Sequence, residues 1–137
     1  MKRAFKDAPF EFLLDLQSGV PVYRQVIDQV RSGMASGALL PGYQLPTVRQ
    51  LAVDLEINPN TVLRAYRELE LSGLIETHQG TGTFIANKKV EKNSAERDRQ
   101  LGQMAGEFAA RAGAAGFSLE DLIDRLRELL PSPAQRR

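Results

Sequence analysis

An α+β fold, mostly helical, is the architecture this sequence predicts, and three observations lead to it. Apolar residues recur at helical spacing in three separate stretches before residue 75. Two short runs then flank Gly80-Thr81-Gly82, the pattern of a glycine-tipped hairpin. After a fully polar stretch, two further helical stripes follow with no strand between them.

Residues 1–20 form an N-terminal arm or short strand: Phe10, Phe12, Leu14 and Leu16 alternate with Glu11 and Asp15, so one side is laid on a surface. Ser18-Gly19 breaks the alternation. Pro21 suits the first position of a helix, and Tyr23, Val26, Ile27, Val30 and Met34 carry that helix over 21–36, up to Gly37. The stretch GALLPGYQLP is turn-rich and has room only for a very short strand around 43–45. Thr47 can cap a two-turn helix over 48–55 whose apolar face is Val48, Leu51, Ala52 and Leu55. Asn58 can cap the next helix, with Pro59 at its first position, where a missing N–H costs nothing. Val62, Ala65, Tyr66 and Leu69 are its buried stripe, and Gly73 is placed to stop it. Strands over 74–78 and 82–86 close the hairpin, whose glycines permit positive φ and close approach of a partner.

From 87 to 93 the chain is a polar linker. A helix over 94–112 then presents Leu101, Met104, Ala105, Phe108, Ala109 and Ala112, and Gly113 to Gly116 end it. Ser118 and Asp121 fit a capping box in its aspartate form, with Phe117 and Leu122 as a hydrophobic staple. Leu119, Leu122, Ile123, Leu126, Leu129 and Leu130 line the last helix, which ends before Pro131. Two helices with such apolar faces cover only part of that surface against each other, so residues 94–137 are expected to be a helical dimerisation tail with a second copy as partner.

At 137 residues the chain has length for a core-bearing domain or a small domain with an appendage, not for two full domains. A hydrophobic fraction of 42% with 26% charged residues argues against general disorder. No apolar run nears the roughly 20 residues of a membrane span, and MKRAFKDAPF lacks the apolar core of a signal peptide, so the protein is expected to be cytoplasmic and to have no membrane partner. The absence of cysteine excludes disulfides and thiolate ligands, and His78 is the single histidine, so neither metal nor cofactor is expected. Net charge is +1, with 11 basic and 10 acidic residues up to residue 93 and 7 of each after it. A nucleic-acid reading must therefore rest on where particular charges sit.

Helix, short helix, tight connection, longer helix and glycine-tipped hairpin, over residues 21–86, make a winged helix-turn-helix domain. The second helix braces the third, which projects a polar face into a DNA major groove, where base edges carry a distinguishable code. At about 100° per residue, Asn60, Thr61, Arg64 and Arg67 fall opposite Val62, Tyr66 and Leu69. Asn60 can pair bidentately with adenine. Thr61 and the N–H groups of that helix end suit a phosphate. His78, Gln79 and Thr81 are donors for the backbone or minor groove at the hairpin tip.

In LPTVRQLAVDLEINPNTVLRAYRELELSGLIETHQGTGTFIA, and in the lead-in SGVPVYRQVIDQVRSGMASGALLPGYQLP, the chain resembles the DNA-binding domain of the GntR family of bacterial transcription regulators, over residues 10 to about 86. The NPNTV start of the third helix and the short two-helix tail resemble the YtrA-type subfamily, in which the tail serves dimerisation and known members are repressors. The resemblance implies DNA contact by Arg49, by Asn58, Asn60 and Thr61, and by Gly80 and Gly82. Where the family often has arginine this chain has Pro59 and Leu63, which moves the expected base readout to Asn60 and Arg64. Larger relatives add an effector-binding or aminotransferase-like domain, for which the roughly 50 residues after 86 leave no room.

The expected function is thus a homodimeric, sequence-specific repressor on double-stranded DNA, binding an inverted repeat. An unidentified small-molecule effector could act between the tail and the DNA-binding domain, though no residue constellation identifies one. The alternative is a winged-helix protein–protein interaction module, mildly favoured by the near-neutral charge but opposed by the scarcity of apolar anchors on the reading face. An enzyme is not expected: there is no phosphate loop and no convergent acid pair. Plainer readings stand beside these. Arg64 and Glu68 can form an intrahelical pair, Tyr23, Tyr66 and Phe84 are most simply core, Gly102 and Gly106 need be only a close helix crossing, and Lys88, Lys89 and Lys92 only a solvated linker.

Overall fold

The computed structural model describes residues 10–87 and 94–131. They fall into two compact units, residues 10–87 together with Pro131, and residues 94–130. The stretch 88–93 carries the expected linker with its three lysines, and it lies, with residues 1–9 of the arm and 132–137 of the tail, outside the described residues.

The first unit runs α1 (Val22–Ser36), β1 (Gln44–Leu45), α2 (Val48–Leu55), α3 (Pro59–Leu71), β2 (Ile75–His78) and β3 (Gly82–Ile85). The strands form an antiparallel sheet in the order β1-β3-β2, with Gln44 opposite Phe84 and His78 opposite Gly82. Val26, Ile27, Val30, Leu51, Ala52, Val62, Ala65, Tyr66 and Leu69 from the helices meet Leu45, Ile75 and Ile85 from the sheet in one core, to which Leu39 and the arm's Phe12 also belong. Of the helical stripes expected from spacing these residues are buried, while Tyr23, Met34, Val48 and Leu55 are half-buried against the same core.

Two local details refine the expectation. Pro21 precedes α1 as its N-cap with ψ 144, rather than opening the helix. Residues 10–20 of the arm form no strand: Phe12 is buried and Phe10 half-buried, but Leu16 is 78% exposed, because the chain turns at 16–18. Instead of a ladder, two glutamines one turn apart on α1 hold the arm. Gln29 accepts from Leu13 N–H at 2.8 Å and donates back to the Leu13 carbonyl, while Gln25, itself buried, does the same at Asp15 and donates also to the Val20 carbonyl.

Thr47 caps α2 by accepting from Gln50 N–H, and Asn58 caps α3 by accepting from Asn60 N–H, both as expected. α2 ends at Glu56, which sits in the left-handed region at φ 56, and Ile57 N–H closes onto the Ala52 carbonyl. A side chain there is strained, and the Cβ is the cause. Glu56→Gly is expected to stabilise the protein by about 0.5–1 kcal/mol, the relief exceeding glycine's extra entropy in the unfolded chain. Chemical denaturation checks it, and a loss of stability would show that Glu56 makes a compensating interaction. At the end of α3, Gly73 takes the left-handed position with φ 78, and Leu74 N–H bonds the Leu69 carbonyl.

The second unit is a helical hairpin of α4 (Ser94–Ala114) and α5 (Leu119–Arg127). Gly113 is helical rather than a breaker, and the stop falls at Gly116, φ 92, with Phe117 N–H on the Ala112 carbonyl. α5 ends at Arg127, so Leu129 and Leu130 lie past it. The capping box forms as expected: Ser118 N–H, and then its hydroxyl, hold the Asp121 carboxyl below the usual carboxylate range. Neither helix has a buried residue. Leu101, Met104, Phe108, Phe117, Leu119, Ile123, Leu126, Leu129 and Leu130 are all exposed. Gly102 and Gly106 face open space, with nothing near the place of a Cβ. Among the described residues no helix is long and apolar enough to cross a membrane.

Candidate nucleic-acid interface

α3 is a helix because Asn58, Pro59 and the 3.6-residue apolar stripe agree, and that stripe fixes which side remains outside. Val62, Ala65, Tyr66 and Leu69 are buried, leaving Asn60, Leu63, Arg64 and Arg67 exposed on the opposite side and Thr61 at its margin. The Tyr66 hydroxyl donates to the Pro46 carbonyl at 2.7 Å, so α3 is tied to the residue just before the α2 cap. Burial pushes the Tyr66 phenol well above its ordinary value.

The N-terminal end of α3 is not an open set of backbone donors, contrary to the phosphate site expected there. Pro59 has no N–H, Asn60 N–H goes to the Asn58 side chain at 2.8 Å, and Thr61 N–H goes to the Asn58 carbonyl at 2.9 Å. Helix capping consumes them, and what remains is side chains: the Asn60 amide and the Thr61 hydroxyl. The open backbone end belongs to α2. There Gln50 N–H meets the Thr47 hydroxyl and Leu51 N–H its carbonyl, whereas the N–H groups of Val48 and Arg49 have no partner among the described residues. Arg49 itself is exposed beside them and makes no ion pair among the described residues. A cation and two aligned N–H groups at a helix N-terminus are suited to an anion.

Arg64 is engaged within the chain. Its guanidinium stacks over the Tyr23 ring, 3.7 Å from Cζ to the centroid, and its Nε lies 3.9 Å from the Glu68 carboxylate. Tyr23, read from spacing as core, is half-buried and carries this arginine.

The wing tip is Gln79-Gly80-Thr81, closed by Thr81 N–H and hydroxyl on the His78 carbonyl at 3.0 and 3.1 Å. Gly80 supplies φ 84, as the turn requires. Gly82 has φ 133, and a Cβ there would come within 2.6 Å of the Gln44 side-chain nitrogen, which donates to the Thr81 carbonyl. Gln44 thus holds the tip from the neighbouring strand. Spacing could not single it out, since it lies in a two-residue strand within a turn-rich stretch. His78 pairs with Glu76 at 3.5 Å and packs on Phe84, with Gln79 exposed beside it. Among the described residues no group of His, Asp and Glu could hold a metal ion.

Residues 22–85 match the model of the bacterial regulatory proteins of the gntR family. The HTH-type transcriptional repressor YtrA of Bacillus subtilis is 35% identical over 85% of this chain and 89% of its own length. Among solved structures, a transcriptional antiterminator from Listeria monocytogenes EGD-e superposes with a TM-score of 0.64 at 27% identity, over 95% of this chain and 96% of that one. YtrA from Sulfolobus acidocaldarius, a GntR-family transcription factor, superposes at 0.52 with 28% identity, over 85% of this chain and 94% of its own. With the braced reading helix, the wing and the two-helix tail in one order, the chain belongs to the GntR family, in its YtrA-type subfamily, and is a DNA-binding transcription regulator.

Proposed function

We propose that this protein is a cytoplasmic homodimeric repressor that binds an inverted-repeat operator. The observation that carries the reading is the exposed side of α3, where Asn60, Arg64 and Arg67 stand opposite the buried stripe, and with it go the exposed Arg49 and the open N–H groups at the start of α2. Asn60 and Arg64 would contact base edges, Thr61 and Arg49 phosphates, and the tip His78, Gln79, Gly80, Thr81 and Gly82 the flanking backbone or minor groove. Asn58, whose side chain is occupied by capping, would act by shaping the helix start. Dimerisation through α4 and α5 is supported by their largely exposed apolar stripes, none of whose residues is buried, since a monomer seldom leaves so large an apolar face in water. Two-fold symmetry in the protein would match two-fold symmetry in the operator. Binding alone, without catalysis or cofactor, would carry this function, and any small-molecule effector would act by changing how the two reading helices are presented.

The test is selection of bound fragments from a sheared host-genome library by the intact protein and by Arg49→Ala. A two-fold-symmetric site is expected for the intact protein, with Arg49→Ala weaker by on the order of 1–3 kcal/mol. Unchanged affinity in the variant would remove Arg49 from the interface. No enrichment by folded dimer at moderate salt, with or without added metabolites, would favour a protein-binding module instead.

A further inference from the structure

The Tyr23–Arg64 stack joins α1, which lies outside the helix-turn-helix, to the centre of the exposed side of α3. Arg64 follows Asn60 by one turn and shares its side of the helix. An aromatic ring occupies the face of a guanidinium and leaves the donors along its edge in plane. Glu68 lies by Nε, and Arg64 makes no other ion pair among the described residues. An arginine already parked on a ring has fewer rotamers to lose on binding than one free in solvent.

We propose that Tyr23 is a positioning residue that holds Arg64 ready for bidentate contact with guanine O6 and N7 in the major groove. This rests on the reading that α3 faces DNA. It makes selectivity at one base pair of each half-site depend on a residue of α1.

The test uses the full chain and the operator recovered by selection, with 7-deazaguanine replacing each guanine in turn to delete its N7 acceptor. The intact protein is expected to lose roughly 10-fold in affinity at one guanine of the half-site. Arg64→Ala should bind less tightly and be indifferent to that replacement. Tyr23→Leu should lose roughly 3- to 10-fold on the natural operator and much of its sensitivity at the same guanine. Tyr23→Phe, which keeps the ring, should retain both. Thermal unfolding of each variant separates this from general loosening, which would lower affinity equally at every substituted position and would overturn the proposal. So would an unchanged 7-deazaguanine profile in Arg64→Ala, or intact-like binding by Tyr23→Leu. If the intact protein selects no operator, the DNA reading fails and this inference with it; if it does and Tyr23→Leu matches it, only this inference fails.

Discussion

Phe108→Asp combined with Ile123→Asp is expected to leave the protein monomeric and to weaken operator binding on the order of 100-fold or more. The two residues lie on different helices of the tail, each in its apolar stripe and each exposed, at 51% and 38%. In a dimer closed through these stripes a carboxylate at either place would be desolvated without a partner, a cost of several kcal/mol. The loss in DNA affinity follows because a monomer engages one half-site, whereas in a dimer the second contact is intramolecular at high effective concentration. Neither Phe108 nor Ile123 belongs to the core of the first unit, so its thermal unfolding should be preserved. Gln103→Asp is the control: at 100° per residue it falls on the side of α4 away from Leu101, Phe108 and Ala112, and its partner is Glu107 in the same helix. Sedimentation equilibrium reads the outcome. A double variant that remains dimeric would mean that the subunits associate elsewhere and that these stripes serve another partner.

How much of this was legible in the sequence depends on how local its cause is. α3 could be placed at both ends because each signal acts within a turn: the Asn58 cap, Pro59 at the first position, and Gly73 in the left-handed conformation beyond the last residue. The capping box of α5 was readable for the same reason. Gly113 misled because a lone glycine among alanines costs a helix only about 1 kcal/mol, and the left-handed stop was available three residues later at Gly116. The contacts that shape the interface lie further apart in sequence. Gln25 and Gln29 hold the arm across 10 and 16 residues, and Gln44 reaches Thr81 across 37. Periodicity records which side of an element is buried and nothing of what crosses to it. Tyr23 therefore read as core, and its role under Arg64 emerged only when α1 and α3 were in place. The family resemblance was readable because its motifs are contiguous, but the filling of the α3 N-terminal N–H groups by capping was visible only in the hydrogen bonds.

Replacing Tyr66 should produce the largest loss of stability from a single residue of the reading helix. Tyr66→Ala is expected to cost about 3–5 kcal/mol, through the cavity left by a buried ring. Tyr66→Phe should cost about 1–2 kcal/mol, because the ring stays while the Pro46 carbonyl loses its donor. The phenylalanine variant also has a pH signature. Burial raises the Tyr66 phenol above its ordinary 10.0, so the unfolded chain releases this proton at lower pH than the folded one. The corresponding stability is whole below pH 10 and is lost as pH climbs above it. Denaturant unfolding of the intact protein should therefore weaken more steeply above that pH than unfolding of Tyr66→Phe, and parallel curves would mean that the phenol is not held protonated in the fold. Pro46 immediately precedes the Thr47 cap, and Arg49 follows it by three residues, so the hydroxyl fixes the start of α2 against α3. A folded Tyr66→Phe protein should accordingly bind its operator less tightly at a pH where stability is not limiting. If affinity were unchanged while stability fell, the position of Arg49 would be set by the cap and the core rather than by this bond.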